Sequence, residues 1–181
     1  FVMGFECEED ARRMMEVLPK RFGRFDLSLN MEKTRKVDFR KPEGKGQQPE
    51  TFNFLGFTHY WGLSRRGQMI HKVKTAKDRL ARSCRVITEW CRKNLHKPIS
   101  EQCRQLNWKL RGHYGYYGLT HNTRALRQYY YQVRRIWHTW LNRRGNREPL
   151  TWQQYMALLT RHPLFSPHIV HNLYRSCESS V

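Results

Sequence analysis

Arginine is the residue whose placement most invites a chemical reading. Arg79, Arg82, Arg85 and Arg92 share one side of a helical period, and Arg124, Arg127, Arg134 and Arg135, with His138, share one side of a later period. A planar guanidinium fork matches phosphate oxygens, and an aromatic ring set among arginines stacks exposed bases. Tyr131 projects with the second set, and Arg111 lies between the two. The ordinary alternative is a charged face that keeps a helical bundle in water. Other reactive types point less sharply. His168 and His171 flank a proline segment with no third ligand at zinc spacing, so a protein-bound metal is not expected. Five cysteines without a CxxC fit neither a disulfide framework nor a zinc knuckle. Cys84 and Cys91 share an apolar helix face and read as buried small residues. Glu8, Glu9 and Asp10 open a helix, where carboxylates suit its dipole.

The charge balance agrees with the arginines. The chain has 181 residues, with 34 Lys and Arg against 15 Asp and Glu, a formal charge of +19. Residues 1–50 are nearly balanced, while residues 51–181 carry 23 basic and 5 acidic side chains. Between Glu101 and Glu148 there is no acidic residue. A field so one-sided repels itself, and a polyanionic partner is the natural reason to tolerate it. Hydrophobic residues at 39% are enough for a core. No apolar run has the length of a membrane span, and no signal-peptide pattern is present, so a reducing, cytoplasmic setting is expected. The chain starts at Phe1 and reads as a piece of something longer.

The elements that must position these residues fall into two grammars. Phe1–Phe5 reads as the end of a strand, and Ala11, Met14, Met15, Leu18 and Phe22 mark one helical face. Leu27, Leu29 and Met31 alternate as a strand does, and Val37 and Phe39 resume extended character. Pro42, Gly44, Gly46 and Pro49 mark a loop. Residues 51–61 are aromatic and extended, interrupted by Gly56. A turn over 62–67 leads into a second strand at 69–73. Beyond residue 74 the pattern is helical: Ala76, Leu80, Cys84, Ile87, Cys91 and Leu95 form one face. Pro98 ends that helix, and a second runs toward Gly112, Gly115 and Gly118, whose spacing suggests close packing. A third helix spans about 122–144, with Leu126, Tyr130, Val133, Trp137 and Leu141 inward and Trp140 also on the apolar side. A short amphipathic helix near 151–160 precedes a proline-punctuated tail. The expected fold class is α+β, divided at 1–74, 75–145 and 146–181.

Two short segments resemble a known family. Asn53-Phe54-Leu55-Gly56-Phe57-Thr58 resembles the FLGF-type primer grip of reverse transcriptases. Asn30-Met31-Glu32-Lys33-Thr34 resembles the N-x-x-K-T motif one strand earlier in the same palm domain. The stretch Leu110-Arg111-Gly112-His113-Tyr114-Gly115-Tyr116-Tyr117 looks like the thumb, or X domain, of group II intron reverse transcriptase/maturases. The order of these segments agrees across nearly the whole chain.

The resemblance implies the end of a palm with a primer-grip-like hairpin, then an all-α basic three-helix thumb and a short extension. It implies an RNA-directed DNA polymerase as parent, acting on intron RNA and primer-template and assisting splicing. In that family the Y-x-D-D segment immediately precedes a stretch like Phe1–Phe5, so residues 1–181 lack the carboxylates that hold two catalytic Mg²⁺ ions. The complete parent is expected to need Mg²⁺; this chain is expected to bind no cofactor and not to polymerise alone. By the same resemblance Lys33 meets the pyrophosphate leaving group as a general acid, against the alternative of a solvated lysine in a basic run. Phe54, Leu55, Gly56 and Phe57 would hold the primer end, since Gly56 has no Cβ to block an approaching backbone. The RNA-binding set is Arg79, Arg82, Arg85, Arg92, Arg111, Arg124, Arg127, Tyr131, Arg134 and Arg135. A stand-alone RNA-binding splicing or assembly factor is the competing reading.

Overall fold

The computed structural model describes residues 1–42, 49–144 and 148–172. Gly44, Gly46 and Cys177 lie outside them. The described residues form a mixed α+β fold: α1 (Glu8–Gly23), β1 (Phe52–Phe54), β2 (Phe57–Leu63), β3 (Met69–Thr75), α2 (Lys77–Lys93), α3 (Ile99–Tyr117), α4 (Thr123–Leu141) and α5 (Trp152–Arg161). The strands make one small antiparallel sheet in the order β1-β2-β3. Two compact units result, one of Phe1–Phe54 with Tyr60–His71, the other of Leu55–His59 with the chain from Lys72 onward.

In the first unit α1 forms where the periodicity predicts it, with Glu8, Glu9 and Asp10 in its first turn. Its apolar face is only half-covered: Leu18 is buried, while Ala11, Met14, Met15 and Phe22 are intermediate. Phe39 gathers a small aromatic cluster, edge-on to Phe52 at 4.9 Å and 5.6 Å from both Trp61 and His71. The Trp61 indole N–H donates to the Phe39 carbonyl at 3.0 Å, which satisfies the ring's polar edge. Ser64 closes the β2–β3 hairpin, accepting at its Oγ from the Gln68 N–H at 3.0 Å, while Gly67 takes the left-handed φ of +74° that the turn needs.

Two expected strands are absent. Phe1–Phe5 and Leu27–Met31 carry no strand, since neither joins the three-stranded sheet, and the Val37–Phe39 stretch stays outside it as well. An extended segment becomes a strand only when its backbone groups pair with a neighbour. At 27–31 the alternation is also cut short by Asn30, whose carbonyl accepts from the N–H groups of Lys33 and Thr34 at 3.1 and 3.0 Å and bends the chain.

The second unit has the core. Ile87 and Cys91 of α2, Leu106, Leu110 and Tyr114 of α3, and Leu126, Tyr129, Val133 and Trp137 of α4 are all buried together with Tyr155 and Leu164. The principal helix pair is α2 with α4. Polar anchors fix the packing. Gln102 is buried; it accepts from the Trp137 indole at 3.0 Å and donates to the Lys97 carbonyl at 2.9 Å. Asn122, also buried, donates to Thr75 Oγ1 and the Tyr117 carbonyl and accepts from the Thr75 N–H at 2.9 Å, so the end of β3, the end of α3 and the start of α4 meet at one side chain.

Among the described residues after α4, the segment 150–165 packs on the helical core. A capping box starts α5: Thr151 Oγ1 accepts from the Gln154 N–H, and Gln154 Oε1 accepts from the Thr151 N–H. Tyr155 then donates to the Arg134 carbonyl at 2.9 Å. Asn107 holds the following segment at both sides, donating to the Pro163 carbonyl and accepting from the Phe165 N–H at 2.7 Å. The expectation for the glycines needs correction too. A Cβ on Gly112 or Gly115 would meet open space, whereas one on Gly118 would lie 2.3 Å from the Tyr114 carbonyl oxygen. Of these three, Gly118 alone is a packing glycine.

Candidate nucleic-acid interface

The helix periods that bury one face of α2 and α4 expose the other. On α4, Arg124, Arg127, Tyr131 and Arg135 recur at spacings of three and four residues and are all exposed. Tyr131 keeps 50% of its surface in solvent, with the Arg135 guanidinium over its ring at 5.8 Å. On α2, Arg79, Arg82, Arg85 and Arg92 are exposed. Arg79 has an acidic neighbour, Asp78, at 3.5 Å, while Arg82, Arg85, Arg92, Arg124, Arg127 and Arg135 form no ion pair among the described residues. Arg111 is exposed on α3 and stacks over Phe165 at 4.8 Å.

Two members of the expected basic face are placed differently. Arg134 is half-buried against α5, its guanidinium over Tyr130 and Trp152, donating to Met156 Sδ at 2.7 Å. His138 is also half-buried; its Nε2 lies 2.8 Å from the Leu150 carbonyl oxygen and its ring meets Trp152 and Tyr155. The reason is α5, which lies over this end of the face and was invisible to α4's own periodicity. Tyr129 is the buried tyrosine of the triplet, while the expected Tyr130 packs partly buried against the same core.

The Phe54-Leu55-Gly56-Phe57 segment is a two-residue hairpin turn between β1 and β2. Leu55 and Gly56 both have positive φ, +48° and +79°, the requirement of a mirror-image turn whose twist suits antiparallel strands. Leu55 is unusual in that region and is 66% exposed. The turn is held from α3 and from the start of α2: Tyr116 Oη donates to the Leu55 carbonyl at 2.8 Å, and the Ala76 N–H donates to the Gly56 carbonyl at 3.0 Å. A Cβ on Gly56 would sit 3.0 Å from Tyr117 Oη. Phe57 is buried and stacks at 5.8 Å on Tyr116. Gly56 thus admits a neighbouring side chain of its own fold.

Lys33 is exposed in the turn that Asn30 closes, where Asn30 Oδ1 also accepts from the Lys33 N–H and Thr34 Oγ1 donates to the Asn30 carbonyl at 2.9 Å. Asn30 and Thr34 therefore shape the backbone that presents the lysine. Two of the carboxylates that open α1 are engaged by cations. Glu8 pairs with Lys36, which holds its carboxyl below the usual range, and Glu9 pairs with Arg12 at 3.2 Å. Among the described residues no three His, Cys, Asp or Glu side chains converge as metal ligands. Cys84 is half-buried and Cys91 buried; burial pushes the Cys91 thiol up to about 12, so it stays protonated.

Lys109, His113 and Trp108 were not among the expected site residues. Lys109 and His113 line a cleft of about 410 Å³ with Arg79, Arg82, Ser83, Val86, Ile87, Tyr117 and Tyr129. Trp108 is 58% exposed beside Arg104, whose guanidinium lies 5.4 Å from the ring centroid. The Arg104, Trp108, Arg111 spacing along α3 was the signal that could have found the latter. Among the described residues no helix is long and apolar enough to cross a membrane. Compared with family models, curated proteins and solved structures, the chain matches none.

Proposed function

We propose that the chain is the carboxy-terminal part of a group II intron-type reverse transcriptase/maturase, and that its helical unit grips RNA. The observation that carries this is the exposed Arg124-Arg127-Tyr131-Arg135 stripe, unpaired by acidic groups and mounted on a helix whose opposite face is locked in the core. Guanidinium groups neutralise phosphates and set register, while the tyrosine ring supplies a sequence-tolerant stacking surface for an unpaired base. Arg79, Arg82, Arg85 and Arg92 provide a second stripe on α2.

The motif order supports the family reading: N-x-x-K-T, then the F-L-G-F turn, a hairpin and basic helices. In the complete enzyme Mg²⁺ would be held by upstream aspartates, Lys33 would stand at the leaving group, and the Leu55–Gly56 turn would present its exposed leucine to the primer. Residues 1–181 alone should bind structured intron RNA and fail to extend a primer with dNTPs and Mg²⁺. Template-directed extension by the pure chain would overturn the reading, as would the absence of RNA binding at low salt. The stand-alone RNA-binding alternative rests on the same stripe and predicts that adding the upstream coding region yields no polymerase.

A further inference from the structure

The cleft among α2, α3 and α4 has a chemistry distinct from the open stripes. Three cationic side chains, Arg79, Arg82 and Lys109, stand at it, and no carboxylate lines it. Its wall is aromatic: the His113 ring stacks on Tyr129 at 3.7 Å between centroids and tilts against Tyr117 at 4.6 Å. His113 is only 9% exposed, and its Nε2 is buried without a hydrogen-bond partner. Burial pushes this imidazole down to about 4, so at neutral pH it is uncharged and the positive charge at the cleft comes from the other three residues. Ser83 adds a hydroxyl, and Val86, 50% exposed, stands at the edge. A volume of about 410 Å³ lies in the range of small-ligand sites.

We propose that this cleft binds a single nucleotide, its phosphate against Arg79, Arg82 and Lys109 and its base against the half-buried Tyr117, with His113 and Tyr129 buried in the wall beside it. Three cations, of which only Arg79 has a carboxylate nearby (Asp78 at 3.5 Å), select an anion, and the adjoining aromatic wall distinguishes a nucleotide from phosphate alone. The inference rests on the RNA reading for the source of the nucleotide, a residue splayed out of a bound chain, and shares Arg79 and Arg82 with it. A free mononucleotide has the same chemistry.

The test is calorimetric titration of the full chain with 5′-AMP, adenosine and inorganic phosphate. AMP should bind at least tenfold more tightly than either of the others. Val86→Trp, an exposed change that leaves net charge unaltered, should obstruct the cleft and weaken AMP at least tenfold. Lys109→Glu should do the same by reversing a charge, with melting curves confirming that each variant folds. AMP binding no tighter than phosphate, or unchanged by both folded variants, would overturn the proposal. The methyl ester of AMP separates the sources, since equal affinity favours a nucleotide within a chain and a loss favours a terminal phosphate or free nucleotide. If Arg124 and Arg127 prove irrelevant to RNA while AMP binds as described, the stripe reading fails and the cleft stands. If AMP fails while the arginine changes still weaken RNA, only the cleft proposal falls.

Discussion

In the helical unit Leu106, Leu110, Leu126, Val133 and Trp137 are sealed from solvent, whereas in the amino-terminal unit Leu18 is the only buried apolar side chain among the described residues. Phe1, Phe25, Leu27 and Met31 there remain 57–73% exposed. The charges divide in a parallel way: residues 1–50 are almost balanced and the remainder strongly basic. The well-packed unit is therefore the one that carries a one-sided field, and a rigid scaffold is what a set of phosphate-binding side chains needs to keep its spacing.

The largest expected contrast is in amide exchange. Residues 80–91, 102–114 and 126–137 should exchange through global unfolding and be protected by orders of magnitude relative to residues 1–42. Uniform protection across both would erase the distinction and favour a self-sufficient amino-terminal unit. Mutation should show the same asymmetry. Trp137→Ala removes a fully buried ring and its bond to Gln102 and should cost about 3–5 kcal/mol, while Phe25→Ala should stay within about 0.5 kcal/mol. Equal losses in chemical denaturation would contradict the packing described.

A third test sharpens the comparison through pH. The folded pKa of His113 is lowered from 6.5 to about 4 by burial. Between those values the unfolded chain binds more protons, so this stabilisation is complete above about 6.5 and is lost as pH falls toward 4. Its full size is up to about 3 kcal/mol. Denaturation midpoints of the helical unit should fall over that window, and His113→Phe should flatten the dependence. An unchanged slope would show that the imidazole is not held neutral.

Local pattern made the helices legible and left their assembly hidden. Leu80, Cys84, Ile87 and Cys91 announce α2 because a helix needs only its own period, and the Ser64–Gly67 turn announces the hairpin. The alternation at Leu27, Leu29 and Met31 misleads because a strand also needs a partner, and Asn30 turns the chain instead. Tyr129, Tyr130 and Tyr131 occupy successive 100° steps, so the boundary between core and surface could not be set from α4 alone. Arg134 and His138 sit on the predicted side of the helix, but α5 covers them. The nucleotide-sized cleft draws on three helices, and no single stretch of sequence contains it. For the site, the open arginines and Tyr131 were readable, while Lys109, His113 and the tyrosines that brace the Leu55–Gly56 turn were not.

The exposed arginines of α4 are proposed to hold RNA phosphates, and the salt dependence of binding to a structured intron RNA reads this most directly. With Arg124 and Arg127 both changed to Ala, the log–log slope should become shallower by about 1.4 to 1.8, from roughly 0.7 to 0.9 per lost phosphate contact. Tyr131→Ala should weaken binding with little change in slope, because stacking releases no counterions. An unaltered slope and near-normal affinity in the double variant would contradict the account and leave these arginines as a solubilising face.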